Sequence, residues 1–171
     1  MPGQRALSEP LRSFVEELAL CVAANGDRGP ALLWPEDPMT LPALQGLFRP
    51  VRAAPDAGAT VPGGPVTEEL AAELGRRLHL KVRPSFCLLS PESPVVESAP
   101  NAAETTLTVL EGACRCVLSR ADEDPAPAPS HPLGMRLRSG GTLFVPRLHT
   151  YRLSEIHVPT TLLRLDLEAA G

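Results

Sequence analysis

Two stretches toward the C-terminal end set the tightest limit on what this chain can fold into. Thr105 to Leu118 reads Thr-Thr-Leu-Thr-Val-Leu-Glu-Gly-Ala-Cys-Arg-Cys-Val-Leu. Met135 to Leu153 reads Met-Arg-Leu-Arg-Ser-Gly-Gly-Thr-Leu-Phe-Val-Pro-Arg-Leu-His-Thr-Tyr-Arg-Leu. Both are rich in β-branched and aliphatic residues, alternate apolar with polar, and carry glycine at a turn, at Glu111-Gly112 and at Ser139-Gly140-Gly141. The pattern predicts two pairs of strands that wrap into a small β-barrel, and any pocket is expected there.

The remaining segments extend this picture. Leu7, Leu11, Phe14, Val15, Leu18 and Val22 recur at helical spacing over residues 7–24, behind Ser8-Glu9-Pro10 and ahead of Asn25-Gly26. Pro30-Ala-Leu-Leu-Trp34, closed by Pro35, reads as an edge strand, with the single tryptophan packed on the core rather than on a ligand. A second helix is expected over 40–48, capped by Thr40, and a third from Thr67 to about Leu78, also with its cap at the threonine. Arg49 to Arg52 reads as a brief strand, Ala53 to Pro65 as a surface loop and Pro91 to Asn101 as a proline-punctuated connection. Leu80 to Arg83 alternates, Pro84 breaks it, and Ser85 to Ser90 follows as a core strand. Arg120 to Pro132 is low in complexity, and its Asp122, Glu123 and Asp124 read as a solvated loop. Thr160 to Leu167 alternates strictly, Leu163, Leu165 and Leu167 against Arg164, Asp166 and Glu168. The fold class expected is α+β: helical elements over residues 1–79, then about six antiparallel strands forming a barrel or sandwich over 80–171, in one compact unit.

Composition narrows the partners. Sixteen basic and twenty acidic residues leave a net charge of −4 with no dense basic run, which offers nothing to nucleic acid or to an anionic membrane. No apolar run approaches the roughly 18 residues that span a bilayer, and no hydrophobic leader follows Met1, so a soluble cytoplasmic protein is expected. The four cysteines, Cys21, Cys87, Cys114 and Cys116, form no CxxC pair. Cys114 and Cys116 lie two apart on one strand and point the same way. They read either as small apolar core residues or as part of a metal or redox site, the latter needing further ligands that the local sequence does not supply.

At this point the strands resemble a known family. Leu107 to Leu118 is similar to the "apolar strand, Glu-Gly, basic, strand" segment of the cupin-like JmjC oxygenases, and Leu137 to Tyr151 to their "Leu-x-x-Gly-Asp, strand, Pro-Arg-Gly-x-x-His" segment. Ser85 to Pro91 fits the strand ending in Ser-Pro that precedes their metal loop. The likeness covers residues 80–167. It implies a double-stranded β-helix in which a His-x-Asp and a distant histidine hold Fe(II), with 2-oxoglutarate completing the coordination. Carried over by position, the His-x-Asp falls at Ala99 and Asn101, the distal histidine at Tyr151 with His149 two residues earlier, the cosubstrate lysine at Cys114, and the Gly-Asp at Gly140-Gly141.

Two readings follow. In the first, the chain is a cupin-like barrel without metal, iron or 2-oxoglutarate chemistry, a pseudo-oxygenase that acts as a binding or scaffold module toward a protein partner or a second copy of itself. In the second it is a cupin-type enzyme, either a hydroxylase with an atypical ligand set that includes Asn101 or a metal-independent isomerase or cyclase. There His149 is base or ligand and Tyr151 acid or hydrogen-bond donor, with Arg115 and Arg147 holding an anionic ligand. The competing assignments are a half-buried His149 bonded to backbone and solvated strand-edge arginines. His79, His131 and His157 suggest no site. A barrel plugged by aliphatic side chains favours the first reading, and an open polar cavity around His149 the second.

Overall fold

The computed structural model describes residues 6–48, 60–92, 95–98, 103–120 and 132–171. The expected strand at 49–52 and most of the loops at 53–65 and 120–132 lie outside them. In chain order the elements are α1 (Glu9–Asn25), β1 (Ala31–Leu33), α2 (Thr40–Gln45), β2 (Thr60–Pro62), α3 (Pro65–Leu78), β3 (Leu80–Leu89), β4 (Val96–Glu97), β5 (Glu104–Glu111), β6 (Ala113–Arg120), β7 (Leu133–Arg138), β8 (Thr142–Val145), β9 (His149–Ser154) and β10 (Thr160–Ala169). No helix among the described residues is long and apolar enough to cross a membrane.

Two antiparallel sheets hold the strands, a large one in the order β1-β8-β5-β10-β3-β2 and a small one in the order β4-β9-β6-β7. From β3 to β10 the chain switches sheet at every connection except β6–β7, which form a hairpin. This is a jelly-roll barrel, the architecture of double-stranded β-helices and cupins. The expectation of locally paired strands is therefore corrected. The turn at Gly112 carries the chain from β5 in the large sheet to β6 in the small one, and the turn at Ser139–Gly141 carries it back, so neither closes a hairpin. Alternation shows that a strand has two faces but not which strand lies beside it; here both faces of the large sheet are buried, one by helices and one by the small sheet.

The large sheet's outer face meets the helices. Leu11, Phe14, Val15, Leu18 and Val22 of α1, Leu44 of α2, and Leu70 and Leu74 of α3 bury against Phe86, Leu110, Phe144, Leu163, Leu165 and Leu167. The helical spacing read from the sequence is thus the buried stripe. The expected caps are not. Met39 and Gly64 precede α2 and α3, while Thr40 and Thr67 are buried inside the first turns with hydroxyls that have no hydrogen-bond partner among the described residues. Asp37 instead accepts the Met39 N–H at 2.8 Å, and Pro65 occupies the first turn of α3.

Three further expectations change. β2 and β4 emerge from segments read as loop, since both are very short and flanked by proline or polar residues. β3 runs unbroken through Pro84, which lies just past the three-residue pairing with β2, so its missing N–H is asked for by no neighbour on that side. Trp34 is 52% exposed rather than packed in the core, because its ring lies across the Gly140-Gly141 turn.

Gly112 has φ +82°, and a Cβ there would sit 2.4 Å from Thr160 Oγ1 and 2.7 Å from the Pro159 carbonyl oxygen. Gly140 has φ +91° but only ordinary contacts, the nearest 3.8 Å away. Gly112→Ala is expected to lower the unfolding free energy by about 2 kcal/mol or more. Gly140→Ala should cost only about 1 kcal/mol. Urea denaturation of the two variants side by side checks the difference.

Candidate functional site

The pleat decides what the space between the sheets contains. β5 directs Leu107 and Val109 into it, β6 directs Cys114, Cys116 and Leu118, and β9 directs Tyr151 and Leu153. Leu89, Leu137, Leu143, Val145, Ile156 and Leu162 complete one buried cluster. The middle of the barrel is therefore filled with aliphatic side chains and two thiols. Burial pushes the Cys114 thiol up to about 11 and the Cys116 thiol up to about 12, the latter helped by its neighbour Cys114, so both stay protonated at neutral pH.

The interior changes character at the end formed by the start of β9, the start of β5 and the last half of β10. On the side of β10 that continues from Leu162 stand Arg164 and Asp166, their side chains 29% and 22% exposed. The guanidinium grips the carboxylate with two bonds, Nε–H to Oδ1 at 2.9 Å and Nη2–H to Oδ2 at 2.8 Å. Thr105, directly opposite Asp166 on β5, donates its hydroxyl to Oδ1 at 3.0 Å. The cluster also includes the Cys87 thiol, raised by burial and lowered in part by Arg164, and the phenol of Tyr151. Burial pushes that phenol up to about 12; Arg164 opposes the shift, while Cys87, Asp166 and Cys116 reinforce it.

The residues singled out from the sequence scatter around this cluster. Tyr151 belongs to it and is 5% exposed. Ser98 bonds Tyr151 at both main-chain groups: its N–H donates to the Tyr151 carbonyl oxygen at 2.9 Å, and its hydroxyl accepts the Tyr151 N–H at 2.8 Å. Ala99 and Asn101 follow Ser98 in the chain but lie outside the described residues, as does His131. His149, at the first position of β9, is half-exposed, with Nδ1 3.2 Å from the Arg147 carbonyl oxygen. Arg147 is exposed in the β8–β9 connection and lies near Glu104. Arg115 is on the outer face of β6, where it meets Glu155 at 3.3 Å, back to back with Cys114. His149 and Tyr151 are thus neighbours in sequence, but Arg115 does not join them. Arg164, Asp166, Thr105 and Cys87 are the members that sequence reasoning missed. The alternation of β10 announced two faces, one apolar and one charged, but not that the charged one turns toward the small sheet.

This cluster answers its own charges. Both oxygens of Asp166 are engaged by Arg164, and the nearby phenol and thiols are held neutral. Among the described residues, no three of His, Cys, Asp and Glu converge as a metal site. A cavity of about 410 Å³ does exist, but on the helical side between α2, β2 and α3, lined by Phe48, Val61, Val66 and Phe86 and away from Tyr151.

Comparison with known proteins adds the fold. No family model matches the chain, and no curated protein does either. Among solved structures, E. coli ycfD superposes with a TM-score of 0.53 at 13% identity, covering 97% of this chain and 54% of that one. The barrel is cupin-like. Vicilin from Corylus avellana (TM-score 0.42, 18% identity, 55% of this chain and 26% of that one) and oxalate decarboxylase (0.41, 14%, 53% and 22%) overlap only in part and carry no weight here. The chain spans about half the length of ycfD, and at this identity the likeness is one of fold alone.

Tyr151 is the chain's only tyrosine, so absorbance near 295 nm follows one phenol. It is expected to ionise near pH 12 rather than at its ordinary value of about 10. Because the folded state keeps a proton that the unfolded state releases, stability falls as pH rises from about 10 to 12, by at most about 1.4 kcal/mol per pH unit. A phenol titrating at 10 in the native protein refutes the buried placement.

Proposed function

We propose that this protein is a JmjC-like cupin barrel, degenerate at the metal site, that works as a non-catalytic binding module through contact with another protein chain. The observation that carries this reading is the clasp at the barrel end. Arg164, the partly buried cation of the clasp, is already neutralised by Asp166, and beyond it the interior is closed by Leu107, Leu118, Leu153 and Leu162. An iron and 2-oxoglutarate centre needs a set of anionic or imidazole donors and a free cation for the cosubstrate carboxylate. The side chains described do not fit it. Tyr151, where the distal histidine is expected, keeps its proton to about pH 12, and Cys114, where the cosubstrate lysine is expected, is a protonated thiol in an apolar cluster. His149 faces the Arg147 carbonyl oxygen.

The test adds Fe(II) or Mn(II), with and without 2-oxoglutarate, to the purified chain. The expected outcome is no rise in Tm from either and no consumption of oxoglutarate, since a ligand bound only to the folded state must stabilise it. Saturable one-to-one metal binding, with a spectroscopic change at His149 that His149→Ala removes, would overturn the proposal in favour of an enzyme with an atypical ligand set.

A further inference from the structure

The helices pack on the large sheet, against side chains of β1, β3, β5, β8 and β10. The small sheet therefore presents an outer face of its own. Since Cys114, Cys116, Leu118, Leu137, Tyr151 and Leu153 point inward, the alternate residues point out, and among these are Arg115 on β6, Arg136 and Arg138 on β7, and Arg152 on β9. The register sets Arg115 directly opposite Arg136 and Ala113 opposite Arg138. Like charges facing across a ladder are destabilising. Arg115 is relieved by Glu155 at 3.3 Å and Arg152 by Glu97 at 3.4 Å, whereas Arg136 and Arg138 have no acidic partner among the described residues. A chain with a net charge of −4 thus gathers four arginines on one face, two of them without an acidic partner among the described residues.

That charge lies on an edge. Among the described residues β7 pairs with β6 alone, so one side of its backbone, from Leu133 to Arg138, has no described neighbour in the sheet. Leu133, of inward parity, is 52% exposed at the same edge. An open edge is a template for another strand, and the side chains on it choose which. A second copy of β7 is a poor choice, because a register continuing the outer face sets arginine against arginine. A nucleic acid's phosphates offer no donors to the edge carbonyls and nothing apolar to cover Leu133, and the overall charge repels a long polyanion.

We propose that the β7 edge is a docking surface for an extended acidic segment of a partner protein, which adds to the small sheet as a fifth strand. Its acidic residues stand at alternate positions against Arg136 and Arg138, and its intervening apolar residues cover Leu133 and Met135. The inference rests on the binding-module reading above and gives that module's partner its chemistry.

Fluorescence anisotropy of a labelled peptide alternating Glu with Leu or Val, titrated with the full chain, tests it. The alternating peptide is expected to bind, more weakly at high salt. The double variant Arg136→Glu, Arg138→Glu should weaken binding by about tenfold or more. Arg12→Glu, at an exposed position of α1, should leave it unchanged, and the milder Arg136→Ala, Arg138→Ala pair serves if charge reversal lowers Tm. N-methylation of the peptide amides that face β7 should abolish binding. No binding of the alternating peptide overturns the docking surface. So does equal binding of a peptide of the same composition with its acids in one block, of oligothymidylate, or of phosphatidylserine vesicles. Failure here, with oxoglutarate still not consumed, removes this surface alone; oxoglutarate turnover removes the binding-module reading whatever the peptide does.

Discussion

The pairing of β10 on both of its edges is the constraint on which the rest of the structure depends. It runs alongside β3 from Thr160 to Ala169 and alongside β5 from Thr161 to Leu167, with one irregularity between Thr161 and Leu162. A strand held on both sides cannot slip by one residue without exchanging its faces. Leu163, Leu165 and Leu167 are thereby committed to the helices, and Leu162 to the barrel interior. The position of α1 and α3 follows from the first set and the closure of the two sheets from the second.

The same register sets the chemistry at the barrel end. Once Leu165 and Leu167 are turned toward the helices, Arg164 and Asp166 must lie on the side of the small sheet, partly removed from water. Unpaired, either would carry a desolvation cost. Paired with two bonds and supported by Thr105, they form a clasp that leaves little charge for a guest. The polar groups of this end are thus spent on one another, whereas the charge unspent on the small sheet lies outside, at Arg136 and Arg138. That division is what motivates the proposal of a surface-acting rather than a pocket-acting protein.

Much of the architecture was legible from periodicity. The stripe Leu11, Phe14, Val15, Leu18, Val22 predicted the buried face of α1, and the alternating stretches around Gly112 and Gly140 predicted strands where strands occur. Partners were not legible, because alternation records that a strand has two faces but not which strand lies beside it. Thr40 and Thr67 misled for a related reason: a threonine near a helix start satisfies the pattern of a cap whether its hydroxyl meets a backbone N–H or is buried. β2 and β4 left too few residues for any period to show.

The sequence by itself determined the class of fold, the helical stripes, the glycine turns and the scarcity of histidine and carboxylate donors in the barrel strands. Those are local properties, written in residue type and spacing. Only the tertiary structure decided that Arg164 and Asp166 face inward as a closed pair, and that Arg115 lies back to back with Cys114. Only it brought Arg136 and Arg138, from a sequence with no dense basic run, onto an open edge opposite Arg115. Strand order and register are set by burial summed over the whole molecule, and no single stretch of the chain contains that sum.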